Sequence, residues 1–159
     1  MLKVRTATPA DIPAIVALEK QSDAAAHWNK QNYASLFTAD GPRRLVLITE
    51  SEGAAVAFVV ARVVGSEWDV ENIVVAAQMR RQGIASEFIR RIVEQAEADG
   101  AQKIVLEVRE SNLPARALYE KAGFVESGSR SGYYRDPEEN AICYGLELRP
   151  SKQGIKRNV

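Results

Sequence analysis

The sequence is poor in the residues that build reactive clusters. Its 159 residues contain one cysteine, Cys143, and one histidine, His27. A lone cysteine excludes an intramolecular disulfide and makes a reducing compartment the simpler expectation. One cysteine and one histidine do not supply the several ligands a metal site needs, so no metal is expected. Nor do they stand in a context suited to a Cys–His nucleophile pair, because Cys143 lies inside the apolar run "AICYGLEL", where a thiol serves packing. No Gly-Lys-Ser/Thr phosphate loop occurs, which leaves nucleotide hydrolysis without support.

An excess of either charge is also missing. Lys and Arg number 21 against 21 Asp and Glu, so no global field draws the chain to nucleic acid or to an anionic membrane. Arg80, Arg81, Arg90 and Arg91 cluster locally, but on a helix this reads as a solvated face rather than a nucleic-acid stripe. No apolar run approaches the length of a membrane span, and no charged-then-apolar leader opens the chain, so the expected location is the cytoplasm. Internal repeats and low-complexity tracts are absent. What remains, 46% hydrophobic and 26% charged residues in a chain of this length, is the composition of one globular domain with a sizeable core. That domain is expected to span 1–150, followed by a polar tail, 151–159, whose composition allows disorder.

The pattern of the chain alternates strands with helices. Residues 3–7 alternate like a strand, and "TPADIPAIVALEK" then starts a helix, with Thr8 as N-cap, Pro9 in the first turn and Asp11 three residues after the cap. Its apolar side takes Ile12, Ile15, Val16 and either Leu18 or Glu19. A second short helix is expected over 29–37. Strands over 45–49 and 54–64 flank the hairpin turn "ESEG", and 67–75 forms a third strand. Ile84, Phe88, Ile89, Ile92, Val93 and Ala96 recur at helical spacing, closed by Gly100. A strand over 103–108, a helix over 112–122 and strands over 124–127 and 141–148 complete an α/β fold around one mixed sheet.

Between the strand ending in "NIVV" (72–75) and the long helix stands "MRRQGIAS" (79–86), a basic, glycine-bearing turn. The first amides of a helix have no intrahelical partners and carry the positive end of its dipole, so such a turn suits an anion. Gly83 lets backbone approach a ligand without a Cβ in the way.

Arg80-Arg81-Gln82-Gly83-Ile84-Ala85 fits the pattern Q/R-x-x-G-x-G/A and resembles the acetyl-CoA loop of the GNAT N-acetyltransferase superfamily. "LEVRESNLPARALYEKAGF" (106–124), "GYY" (132–134) and "ENAICYGLEL" (139–148) resemble the ribosomal-protein-alanine N-acetyltransferase (RimI-type) group and related amino-terminal acetyltransferases. The resemblance covers roughly residues 3 to 148. It implies a GNAT fold, a mixed sheet of about seven strands with about four helices, and acetyl-CoA as cosubstrate.

Residue by residue, the resemblance implies that the amides of the loop Arg80, Arg81, Gln82, Gly83, Ile84 and Ala85 bind the pyrophosphate. Asn72, Ile73 and Val74 would run beside the pantetheine arm, their amides polarising the thioester carbonyl, and Asn112 would contact the cofactor. Glu107 would be the general base for the substrate amine, and Tyr119 the acid for the leaving thiolate. A carboxylate in an apolar strand is costly unless it is hydrated or useful, which sets Glu107 apart from an idle edge glutamate. For Tyr119 the competing role is plain core packing, and for Asn112 it is capping the helix that Pro114 begins. Trp28, Tyr133 and Tyr134 would shape a peptide groove, the tyrosines from the loop between the last two strands. His27 replaces the proline that many relatives carry before the tryptophan, and Ala85 stands where many have a second glycine. The implied acceptor is a protein N-terminus, most plausibly of a ribosomal protein starting with alanine. A small amine, an antibiotic, a lysine side chain, or a non-catalytic acyl-CoA-binding module are the alternatives.

Overall fold

The computed structural model of the chain describes residues 1–22 and 33–149. In chain order its elements are β1 (Leu2–Thr6), α1 (Ile12–Lys20), β2 (Arg44–Ser51), β3 (Ala54–Val64), β4 (Glu67–Val75), α2 (Ile84–Ala98), β5 (Lys103–Arg109), α3 (Leu113–Lys121), β6 (Val125–Tyr134) and β7 (Glu139–Glu147). The strands make one mixed seven-stranded sheet in the order β1-β2-β3-β4-β5-β7-β6. β4 and β5 are parallel, whereas β1–β2, β2–β3, β5–β7 and β6–β7 pair antiparallel. No helix among the described residues is long and apolar enough to cross a membrane. The chain forms two compact units, the first from Met1–Val64 and Glu71–Phe88, the second from Gly65–Val70 and the residues from Ile89 onward.

In the first unit, β2 and β3 are joined by a two-residue turn whose centre, Glu52 and Gly53, has φ of 51° and 81°. Positive φ at both positions is what a type I′ hairpin requires, because its twist matches that of the strands. Ile15 and Leu18 of α1 join Val46, Ile48, Phe58, Val60 and Val74 of the sheet in one buried cluster. Each such side chain gains roughly 1.5–3 kcal/mol on burial. Glu19 is buried as well, 3% exposed, and accepts a hydrogen bond at 3.5 Å from the amide nitrogen of buried Asn72. Thr8 caps a 3₁₀ turn, Pro9–Asp11, rather than α1 itself, which starts one residue later at Ile12; in that turn the Thr8 N–H donates to Asp11 Oδ2 at 2.8 Å.

Arg5 of β1 grips the same Asp11 in a fork, Nη1 to Oδ2 at 2.8 Å and Nη2 to Oδ1 at 2.7 Å, while its Nε donates to Glu50 at 2.8 Å. The Arg5 hydrogen bonds, with help from the Thr8 amide, hold the Asp11 carboxyl down at about 2. A depressed folded value stabilises the fold above the unfolded carboxyl value, and this contribution fades as pH falls through about 2. Asp11→Asn is therefore expected to lower Tm by about 2–4 °C at neutral pH, as about 1 kcal/mol does in a domain of this size. In thermal melts down the acid limb, the gap to wild type should close; a gap that stays constant to the lowest pH would contradict the pairing.

The second helix expected over 29–37 lies partly outside the described residues; its described end finishes in a 3₁₀ turn, Ser35–Phe37, with Tyr33 and Leu36 buried. His27, Trp28 and the tail 151–159 also lie outside the described residues.

In the second unit, α2 buries Ile89, Ile92 and Ala96 at helical spacing and is followed by Gly100 at φ 79°. β5 pairs with β7 in a register that sets Glu107 opposite Cys143 and Arg109 opposite Ala141. β6 differs from expectation. It runs on to Tyr134, where the sequence suggested a strand ending near residue 127 and a loop bearing Tyr133 and Tyr134. "SGSRSG" has little intrinsic strand preference. Its strand state comes from pairing with β7, interrupted by register shifts between Glu126 and Gly128 and between Arg130 and Tyr134.

Candidate active site

In the first unit β4 turns Asn72 and Val74 inward and leaves Ile73 and Val75 half-buried on the opposite face. The strand ends at Val75, the Ala76 N–H donates to the Val56 carbonyl at 2.9 Å, and a 3₁₀ turn (Ala77–Met79) follows. Met79 packs against the core, which anchors the near end of the loop. Arg80, Arg81, Gln82 and Gly83 are then exposed, before Ile84 returns to the interior as the first residue of α2. Arg81 and Gly83 have positive φ, 65° and 78°, separated by one residue, so the chain bends sharply there. The helix ladder begins with the Glu87 N–H donating to the Gly83 carbonyl at 3.0 Å, so the amides of Ile84, Ala85 and Ser86 precede it. A Cβ built on Gly83 would meet nothing within 4 Å, so the demand for glycine comes from its backbone angle, not from crowding inside the protein. Amides without intrahelical partners at a helix start beside two arginines fit a pyrophosphate.

The second unit brings together three of the predicted residues, Glu107, Tyr133 and Tyr134. Glu107 is on the β5 face that alternates with buried Ile104, Leu106 and Val108, and its side chain is 24% exposed. Its Oε1 is 3.0 Å from the Arg130 Nε of β6. Tyr133 hydrogen bonds to the same carboxylate; burial first, and that bond second, raise its phenol above the ordinary value. The Tyr133 ring meets Tyr134 edge-on at 5.1 Å and lies 5.6 Å from the Arg130 guanidinium. Burial, followed by the neighbouring Tyr133 and Glu107 charges, raises the Tyr134 phenol too.

Tyr119, on α3, is 4% exposed, and burial alone pushes its phenol well above the ordinary range. It therefore stays protonated at neutral pH, which is the state a general acid must hold. Its ring packs against Phe124 at 5.9 Å and Tyr144 at 6.2 Å. Asn112 is the N-cap of α3, its side-chain oxygen accepting from the Ala115 N–H at 3.3 Å with Pro114 in the first turn. Its capping role is thus realised.

Two groups around these residues escaped the sequence reading. Tyr144 donates to Glu120 at 2.9 Å and accepts from the Arg116 Nε at 3.1 Å, which fixes the ring that supports Tyr119. Arg109, 7% exposed, donates to the carbonyls of Pro137 and Arg135 at 3.1 and 3.2 Å, pairs with Glu139 at 3.6 Å, and lies 4.4 Å over the Tyr134 ring. An arginine at the end of "KIVLEVR" reads as a solvated strand terminus; only the fold shows that the β6–β7 connection closes over it.

The profile of the acetyltransferase (GNAT) family matches residues 13–124. The [ribosomal protein bS18]-alanine N-acetyltransferase of Escherichia coli K12 is 34% identical over 140 residues, covering 87% of this chain and 92% of that protein. Its Haemophilus influenzae counterpart is 31% identical over 140 residues, 84% of this chain and 92% of that one. The crystal structure of the ribosomal-protein-S18-alanine N-acetyltransferase from Escherichia coli superimposes with a TM-score of 0.82 at 31% identity, covering 93% of this chain and 94% of the other.

Proposed function

The chain belongs to the acetyltransferase (GNAT) family and is an acetyl-CoA-dependent N-acetyltransferase, and we propose that it acts on the N-terminal α-amine of a protein, a ribosomal protein beginning with alanine. The observation that carries this acceptor is the likeness to ribosomal-protein-alanine enzymes over 87% of the chain. A ribosomal-protein acceptor also suits the cytoplasmic location expected from the sequence.

Acetyl-CoA supplies an acetyl group already activated as a thioester. In this reading the amides of 80–85 hold its pyrophosphate, Asn72, Ile73 and Val74 offer backbone N–H groups to its arm and carbonyl, and Asn112 adds a contact. Backbone donors at a developing oxyanion are worth a few kcal/mol of barrier. Glu107, directly or through water, takes a proton from the acceptor's ammonium; an α-amine titrates near pH ~8 and is mostly charged at neutral pH. The freed nitrogen attacks the thioester carbonyl carbon, the carbon–sulfur bond breaks, Tyr119 gives its proton to the departing thiolate, and the second proton that the nitrogen sheds as the amide forms restores the phenol through water, while Glu107 releases its own to solvent. Tyr133 and Tyr134 line the peptide's path.

Peptides carrying both an α-amine and a lysine test the acceptor, with mass spectrometry locating the acetyl group. We expect it on the α-nitrogen, since an α-amine is about 2–3 units less basic than lysine and yields its proton to a single carboxylate more readily. Acetyl found only on the ε-nitrogen overturns the reading.

Tyr119→Phe keeps the ring between Phe124 and Tyr144 and removes only the hydroxyl. Its turnover is expected to fall about a hundredfold or less, because a thiolate is a good leaving group and gains less from an acid than an alkoxide does. Calorimetry should find acetyl-CoA affinity nearly unchanged; a variant with wild-type turnover would leave Tyr119 as core alone.

A further inference from the structure

The Glu107 carboxylate is already engaged by a cation, and that cation is held loosely. Arg130 approaches it to 3.0 Å, yet the arginine side chain is 60% exposed, and it lies over the ring of Tyr133, a residue itself 48% exposed. Arg109, two residues along on β5, is different. It is buried and bound by two carbonyls and Glu139, so it stays where it is. An arginine cannot give up its charge at working pH. An acceptor arriving as an ammonium therefore finds a cation already paired with the carboxylate.

Resting on the reading of Glu107 as the base, we propose that Arg130 is a placeholder cation, pairing with Glu107 until the acceptor's ammonium takes its position and the guanidinium swings out into solvent. The exchange has a physical use. It keeps the carboxylate paired while the groove is open to water, and it replaces one cation by another, so the charge around Glu107 is the same before and after binding. An exposed ion pair of this kind is weak, which makes the displacement cheap. A neutral acceptor has no charge with which to expel Arg130. The site thus favours acceptors that arrive protonated and are deprotonated in place.

Calorimetric binding of an alanine-first peptide to the protein with coenzyme A, across Arg130→Gln, Glu107→Gln and the double variant, tests this. Arg130→Gln should tighten peptide binding about two- to fivefold, the range an exposed pair allows. In the Glu107→Gln background the same change should do nothing, because neither cation then has a carboxylate to hold. Arg130→Lys, which keeps a cation, should bind like wild type. Salt gives a second readout. Wild-type affinity should vary little with NaCl, since gained and lost pairs are screened alike, whereas Arg130→Gln affinity should weaken as salt rises. Binding that is unchanged or weaker in Arg130→Gln, or a gain that persists without Glu107, overturns the exchange. A Glu107→Gln enzyme with wild-type turnover would instead remove the base and leave Glu107 as the ammonium anchor, which the binding cycle detects separately.

Discussion

Glu107→Gln should lower kcat by about a hundredfold to ten-thousandfold, the range lost with a general base. The substitution preserves length and planarity, and the carboxamide oxygen can still accept from Tyr133 and Arg130, so shape and packing persist while the proton acceptor disappears. The competing account is a hydrated glutamate with no task. Against it stands the position: Glu107 lies between buried Leu106 and Val108, is only 24% exposed, and pairs with Arg130 and Tyr133 within the same unit. The wild-type rate should rise with pH along a limb that reports loss of a proton from the base or from the amine. Circular dichroism and thermal melts should show the variant folded. If Glu107→Gln keeps the wild-type rate and pH profile, another group takes the proton, and the assignment of the base fails while the family stands.

Legibility followed the range of the interactions. The β2–β3 turn, the Thr8–Asp11 cap, the α2 stripe and the Asn112 cap were readable because each depends on residues within a few positions of one another. β6 was misread for the opposite reason: its strand state is conferred by β7, and no local preference announces it. The same holds for the support around the site. Arg116 reaches Tyr144 across 28 positions, and Arg109 reaches Pro137 across another 28. Such partners are fixed by topology, so "ARALYEKAGF" draws attention to Tyr119 but not to the Tyr144 ring packed against it. Arg130 is the extreme case. It sits in a stretch that reads as a polar loop, and only the β6–β7 pairing, Arg130 opposite Ala141, brings it to Glu107.

Gly83→Val should abolish measurable acetyl-CoA binding while leaving the fold essentially native. At φ 78° a β-branched residue is a steric outlier that costs roughly 1–3 kcal/mol. A valine there would relieve that strain by turning the peptide units on either side, and those units belong to the amides assigned to the pyrophosphate. Since the position is open to solvent and a Cβ touches nothing within 4 Å, the core has no reason to rearrange. Gly53 supplies the control. It has nearly the same angle, φ 81°, and the same open surroundings, but lies in the β2–β3 turn. Gly53→Val should therefore lose a comparable few degrees of Tm and keep its acetyl-CoA affinity. The contrast separates backbone strain, common to both variants, from displacement of the loop amides, confined to one. Equal affinity in the two variants, whether lost in both or kept in both, would show that the 80–85 loop is not what holds the cosubstrate.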